Sequence, residues 1–152
     1  MTALSLAWAL RRWIFALLGV RTRGVKLLVE NAAGEVLLVR NAYGKHWQWV
    51  LPGGGVGRRE STVDAAVREL REETGCHAGG LRLFATYVSG LEGRRDTIDL
   101  FRATTVDAPQ ADRREIAEAG FFALDRLPDQ TSPATLRRLA EVFGAAGISP
   151  HW

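Results

Sequence analysis

A chain of 152 residues, 47% hydrophobic and 24% charged, is long enough for one domain with a buried core and too short for two of comfortable size. Its formal net charge of +3 favours anionic partners such as phosphates, but lacks the strong basic balance of a dedicated nucleic-acid binder. The single cysteine, Cys76, excludes an intramolecular disulfide, fits a reducing, cytoplasmic compartment, and reads as a small buried hydrophobe.

Residues 1–19 are unusually apolar, but Arg11 and Arg12 interrupt the run. A membrane-spanning helix needs around 20 mostly apolar residues, and adjacent arginines in mid-span are costly. A signal peptide carries its charge ahead of the apolar run, not within it. On a helical wheel Leu6, Leu10, Ile14, Leu17 and Leu18 form an apolar stripe. Residues 1–19 therefore read as a helical extension to a domain over residues 20–148. It packs either on that domain or on a second copy in a homodimer. The other reading is a membrane-surface helix making a peripheral contact, with Trp8, Trp13, Arg21 and Arg23 at the interface.

The run 25–29 reads as a strand, Asn31-Ala32-Ala33-Gly34 as a turn and 36–39 as a second strand ended by Arg40, giving a hairpin. A polar loop over 41–45 leads to His46, Trp47 and Trp49, just before Leu51-Pro52-Gly53-Gly54-Gly55. Tyr43 and Trp47 are candidates for stacking on a nucleobase beside that glycine-rich loop; aromatics at such places are as often plain core residues.

Ser61 is placed to cap a helix, with Asp64 completing a capping-box-like pair. Val63, Ala66, Val67, Leu70 and Thr74 form its expected core side, opposite Glu69, Glu72 and Glu73. Asp64–Arg68 and Arg68–Glu72 are i, i+4 pairs, and Gly75 is placed to end the helix in the left-handed conformation. Residues 81–88 and 98–106 are strand-like, with Arg94 and Arg95 in the loop between them, and 121–124 is a further short strand. Ser132-Pro133 opens a last helix whose apolar face is Leu136, Leu139, Ala140 and Phe143, ended by Gly144. The tail to Trp152 carries no signal.

Glu69, Glu72 and Glu73 stand at i, i+3 and i+4, on one helix face. Like charges so placed destabilise an isolated helix by roughly 0.2–0.5 kcal/mol per pair. A hard divalent cation offsets that repulsion, and the preceding glycines let backbone approach the same site. A solvated acidic face is the commoner meaning of such a cluster; the flanking glycines, Arg68 and the spacing favour the cation.

The whole stretch 54–76 fits Gly54-x5-Glu60-x7-Arg68-Glu69-Leu70-x-Glu72-Glu73-x-Gly75-Cys76. It resembles the Nudix box, GX5EX7REUXEEXGU with U a bulky apolar residue, and Cys76 is small for the last U. The Leu51-Pro52-Gly53-Gly54 lead-in, the hairpin before it and the segment from Glu115 through Phe121-Phe122 to Pro128 extend the resemblance to the Nudix hydrolase superfamily. The resemblance implies an α/β fold, a mixed β-sheet sandwiched between helices (α/β/α). It also implies Mg²⁺- or Mn²⁺-dependent hydrolysis of a nucleoside diphosphate linked to another moiety.

Carried over by position, Glu69, Glu72 and Glu73 match the family's metal-binding glutamates and the Gly53 carbonyl a backbone ligand. Gly54, Glu60 and Gly75 match the structural positions of the box, Glu60 supporting the loop. Arg68 matches the arginine that orients the catalytic glutamate. Glu115 matches a further catalytic glutamate, for which Glu118 is the alternative. Either Glu69 or Glu115 serves as general base. Arg40, Arg94 and Arg95 are candidate phosphate contacts, since arginine's planar fork matches phosphate oxygens. A non-catalytic Nudix-fold nucleotide sensor and a membrane or protein interaction module are the alternatives to a hydrolase. The partner in the leading reading is a small nucleotide, whose identity these residues leave open.

Overall fold

The structure, a computed structural model, describes residues 22–89 and 96–152. The expected helix over residues 1–19, with Trp8, Trp13 and Arg21, and the loop arginines Arg94 and Arg95 lie outside the described residues. Among the described residues no helix is long and apolar enough to cross a membrane.

The strands are β1 (Arg23–Glu30), β2 (Val36–Asn41), β3 (Trp49–Val50), β4 (Gly79–Ser89), β5 (Asp96–Thr104) and β6 (Ile116–Phe122). The helices are α1 (Thr62–Thr74) and α2 (Pro133–Val142). The strands form one mixed sheet in the order β3-β2-β1-β5-β4, with β6 paired to β2. β1 runs parallel to β5 and the other pairings are antiparallel. Val25, Leu27, Leu28 and Val29 of β1 are all buried because both faces of the sheet are covered. Val25, Leu27 and Val29 join Ala65, Ala66 and Leu70 of α1, while Leu28 joins Leu38, Tyr87 and Leu100 under Leu139 of α2. The mixed sheet between helices is the architecture the resemblance implied.

The β1–β2 hairpin pairs at Glu30–Val36 and then splays. Residues 49–56 fill the fork. They run antiparallel to β2 at Trp49 and Val50, turn at Pro52–Gly53, and return antiparallel to β1. On that return the N–H groups of Leu27 and Val25 donate to the carbonyls of Pro52 and Gly54, each at 2.9 Å. Gly53 sits at the apex with φ +138°, and a Cβ there would lie 2.1 Å from the Val25 carbonyl oxygen. Only glycine turns the chain at this place.

Several elements differ from expectation. Arg40 lies inside β2, which runs to Asn41. β5 ends at Thr104, opposite the end of β1 at Glu30, with the Thr105 N–H on the Glu30 carbonyl as the last rung, leaving Val106 fully in solvent. β6 starts five residues before the expected 121 and stops at Phe122, where a turn closed by Arg126 N–H on the Ala123 carbonyl takes over. On α1, Val63 and Val67 are exposed while Glu69 and Glu73 are buried. The stripe that meets the sheet is Ala65, Ala66, Glu69, Leu70, Glu73 and Thr74, so two glutamates border the core rather than oppose it.

On α2, Leu136 and Phe143 of the expected apolar face are exposed, and the buried face carries Arg138 and Glu141 instead. The C-terminal tail explains this. The Val88 N–H donates to Pro150 O at 2.9 Å and the Trp152 N–H to Val88 O at 3.2 Å, a single parallel bridge between His151 and Val88 of β4. Arg138 donates to Glu141 and to His151 O, both at 2.9 Å, and lies 4.1 Å from the Tyr87 ring centroid. Glu141 accepts from the Tyr87 hydroxyl at 2.6 Å and from the Ser149 N–H at 2.9 Å. These bonds offset much of the cost of burying the ion pair, although the Arg138 Nε–H has no partner.

Gly53→Ala is expected to cost about 3 kcal/mol by denaturant unfolding, from backbone overlap added to a disfavoured φ. Gly34→Ala, at φ +74° in open space, is expected to cost about 1 kcal/mol. Equal losses at the two positions would contradict the account of the fork.

Candidate active site

α1 begins as its sequence directs. The Ser61 hydroxyl accepts from the Asp64 N–H at 3.0 Å and donates to the Asp64 carboxylate at 2.7 Å. Asp64 is therefore engaged with its own cap, and the expected Asp64–Arg68 pair gives way to others. Gly75 ends the helix at φ 72°, its N–H on the Arg71 carbonyl.

One turn into the helix, Arg68 gathers the site. Its Nε and Nη2 grip both oxygens of Glu60 at 2.7 and 3.0 Å, the bidentate geometry a guanidinium favours. Nη1 donates to Glu69 at 2.8 Å and Glu72 at 3.1 Å, and Nη2 also donates to Gly55 O at 3.0 Å. These contacts engage all five guanidinium N–H groups. Glu60 additionally accepts from the Gly57 N–H at 2.8 Å. The Arg68 bonds first, and Gly57 second, hold the Glu60 carboxyl down to about 2. Glu60 in turn pushes Arg68 further above its usual range.

The glycine fork closes the other side. A Cβ on Gly54 would stand 2.6 Å from the Glu69 carboxylate, so the carboxylate occupies the space that a side chain would need. The Gly53 N–H donates to Glu73 at 3.0 Å. Burial pushes Glu73 up to about 7, against Lys26 and this N–H, with Glu69 and Glu115 adding repulsion. Burial likewise pushes Glu69 up against the pull of Arg68, with Glu72 and Glu115 reinforcing the rise.

Lys26 escaped the sequence reading. Its ammonium enters the fork, donating to Leu51 O at 2.9 Å and Gly53 O at 3.3 Å. Burial pushes it below the usual lysine range, while Glu73 and Glu69 pull it back. The signal was a lone cation inside the apolar run of β1, where a lysine is out of place unless it is paired. The Gly53 carbonyl thus already serves Lys26.

Glu115 is exposed at the end of the β5–β6 loop, whose Asp112 N–H donates to the Glu73 carbonyl at 3.3 Å, so this loop runs against the C-terminal half of α1. Glu118 faces away into an ion pair with Arg40, across the β2–β6 register that sets them opposite. Arg40 also donates to His46 O at 3.4 Å. Arg40, expected at a phosphate, is thus committed to Glu118, and Glu118 to Arg40. Tyr43 and Trp47 are exposed in the loop before β3, with Trp47 packed edge-on against His46. Trp49, by contrast, packs edge-on against Phe122 with centroids 4.9 Å apart. With Gln110, Arg113, Glu118 and Phe122 it lines a cavity of about 610 Å³.

The donors fit a hard dication. Glu69, Glu72 and Glu73 offer only oxygen, and burial, first of all, raises the proton affinity of the two buried ones, Glu69 and Glu73. Among the described residues no three acidic, histidine or cysteine side chains converge into a ready-made cage, in keeping with Arg68 drawing Glu69 and Glu72 to itself.

A family model described as the NUDIX domain matches residues 20–143. The chain belongs to the Nudix family. It is similar to an RNA pyrophosphohydrolase of Pseudomonas paraeruginosa, 41% identical over 61 residues that make up 40% of this chain. That match spans only 37% of the relative's length. A Nudix hydrolase of Pseudomonas aeruginosa is 34% identical over 110 residues, 68% of this chain and 64% of its own. The crystal structure of a MutT NUDIX hydrolase from Burkholderia pseudomallei superposes with a TM-score of 0.70 at 25% identity, covering 81% of this chain and 98% of that one. The Nudix chain thus shares its fold with that neighbour over almost all of the neighbour's length.

A carboxyl that titrates near 7 when folded and near 4.5 when unfolded binds its proton more tightly in the folded state. It therefore adds stability as pH falls through this window, and that contribution is lost as pH rises through 7. Metal-free protein is expected to gain stability between pH 7.5 and about 5, and Glu73→Gln to flatten that slope. An identical slope in the variant, by thermal unfolding in chelator, would contradict the assignment.

Proposed function

We propose that this Nudix protein is a metal-dependent pyrophosphohydrolase, cleaving a nucleoside diphosphate linked to another group with Mg²⁺ or Mn²⁺. The observation that carries the reading is the pair of buried carboxylates, Glu69 and Glu73, held together at one end of a glycine fork with their protons bound too tightly. Such a site stores unfavourable charge that a cation relieves.

When bound, a divalent ion neutralises phosphate charge and lowers the pKa of a coordinated water. The protein's own part is to hold, orient and accept a proton. Glu69, Glu72 and Glu73 would hold the ion, with Lys26 steadying Gly53 behind them. Arg68, braced on Glu60, fixes the direction of Glu69 and Glu72. Glu69 is tied to Arg68 through Oε1, whereas Glu115 is exposed on the loop that bonds to the Glu73 backbone. We therefore assign Glu115 as the base that takes the water's proton. Trp49 and Phe122 supply aromatic walls, and Gln110 and Arg113 polar groups, to a cavity for the organic part of a nucleotide. Relatives named for RNA pyrophosphohydrolase and MutT activity support a pyrophosphate bond as the target. The modest net charge of +3 favours a small nucleotide over a long nucleic acid.

The test is a hydrolysis screen with Mg²⁺ and Mn²⁺ over nucleoside triphosphates, a dinucleoside polyphosphate, ADP-ribose, a UDP-sugar and triphosphorylated RNA, with products identified. Turnover is expected for at least one nucleotide and is expected to vanish with chelator. Glu72→Gln and Glu73→Gln are each expected to lower it about a hundredfold or more with the fold intact. Tight nucleotide binding without hydrolysis, or full activity in both variants, would overturn the reading.

A further inference from the structure

We propose that Asp112 is a positioning residue that holds Glu115 over the carboxylate site by fixing its backbone. This rests on the assignment of Glu115 to the reaction made above. The loop between β5 and β6 is tied to α1 by two backbone bonds, Gln110 N–H to Thr74 O at 2.8 Å and Asp112 N–H to Glu73 O at 3.3 Å. It is therefore anchored on the very residue whose side chain lies in the site.

From that anchor the Asp112 side chain turns forward. Its Oδ1 accepts the N–H groups of Arg114 at 2.9 Å, Glu115 at 3.1 Å and Ile116 at 2.8 Å. Three successive donors on one oxygen force a tight turn, and Arg113 takes φ 60° to make it, a left-handed conformation rare outside glycine, asparagine and aspartate. The Arg113 N–H closes the turn on Ile116 O at 2.9 Å, and the Glu115 carbonyl accepts from the Ala42 N–H at 2.8 Å at the end of β2. Glu115 is thus gripped at its N–H by Asp112 and at its carbonyl by the sheet. Only its side-chain torsions stay free, three residues after the Asp112 N–H that bonds to the Glu73 carbonyl. Asp112 couples the residue we assign as base to the helix that carries the metal-binding set, through covalent and hydrogen-bonded steps that leave little slack.

Displacing a reacting group by about 1 Å can cost on the order of a hundredfold in rate. With the fastest substrate of the panel and Mg²⁺, Asp112→Ala is expected to lower kcat by about that factor, with KM little changed. Asp112→Asn keeps an oxygen for the three N–H groups and is expected to restore most of the rate. In a Glu115→Gln background Asp112→Ala is expected to add no further loss, because the two changes act on one group. A second readout needs no turnover: in metal-free wild-type protein the amides of 114, 115 and 116 are expected to be protected from hydrogen exchange, and in Asp112→Ala to lose that protection. Multiplying losses of kcat in the double variant, or equal exchange at those amides in both proteins, would overturn the proposal. If Glu115→Gln itself left kcat unchanged while the amide result held, the turn would stand and the assignment of Glu115 as base would fall, taking the positioning role with it.

Discussion

Carboxylates buried side by side repel one another, and desolvation of each charge adds to that cost. Glu69 and Glu73 are buried on the same helix, with Glu72 between them in sequence. Much of the local structure works against this repulsion. Arg68 binds Glu69 and Glu72 while its other edge is locked to Glu60. Lys26 brings an ammonium up from behind, and the Gly53 N–H reaches Glu73 directly. The compensation is partial, since Glu73 still titrates near 7. An assembly that had neutralised its charge fully would gain little from a cation.

The architecture supplies the geometry for that compensation. A splayed hairpin opens a fork between β1 and β2, and the glycine segment turns inside it, bringing backbone N–H and carbonyl groups to the side of α1. Gly53 allows the turn and Gly54 leaves room for the Glu69 carboxylate. The β5–β6 loop then bonds to the C-terminal end of α1 at Glu73 and Thr74. The site thus draws on strand, loop and helix from distant parts of the chain, and each is held by contacts that a single-residue change disturbs.

What the sequence made legible was local. The caps at Ser61, Gly75 and Ser132 follow from chemistry within a few residues, and the box spacing pointed to the family that the domain match bears out. The mixed sheet between two helices followed from the same resemblance. What escaped was set by long-range pairing. Lys26 meets its partners only through the fork, and Arg40 meets Glu118 only through the β2–β6 register. The rotation of α1 escaped because the sequence pattern sets the glutamates as a metal-binding face opposite the core, whereas Glu69 and Glu73 border it. The α2 face was misjudged because Arg138 and Glu141 become buried only once Tyr87, Ser149 and His151 satisfy them. No pattern within a helix reports partners some ten or fifty residues away.

The central claim is that the charge stored at Glu73 is what a metal ion discharges. Calorimetric titration with Mg²⁺ at pH 7, in buffers of different ionisation heat, measures it by counting the protons released on binding. A carboxyl titrating at about 7 is about half protonated there, and the ion requires the carboxylate. About half a proton per bound ion is therefore expected from the wild type, with most of that release lost in Glu73→Gln. Binding of Mg²⁺ without proton release, or the same release in the variant, would contradict the account.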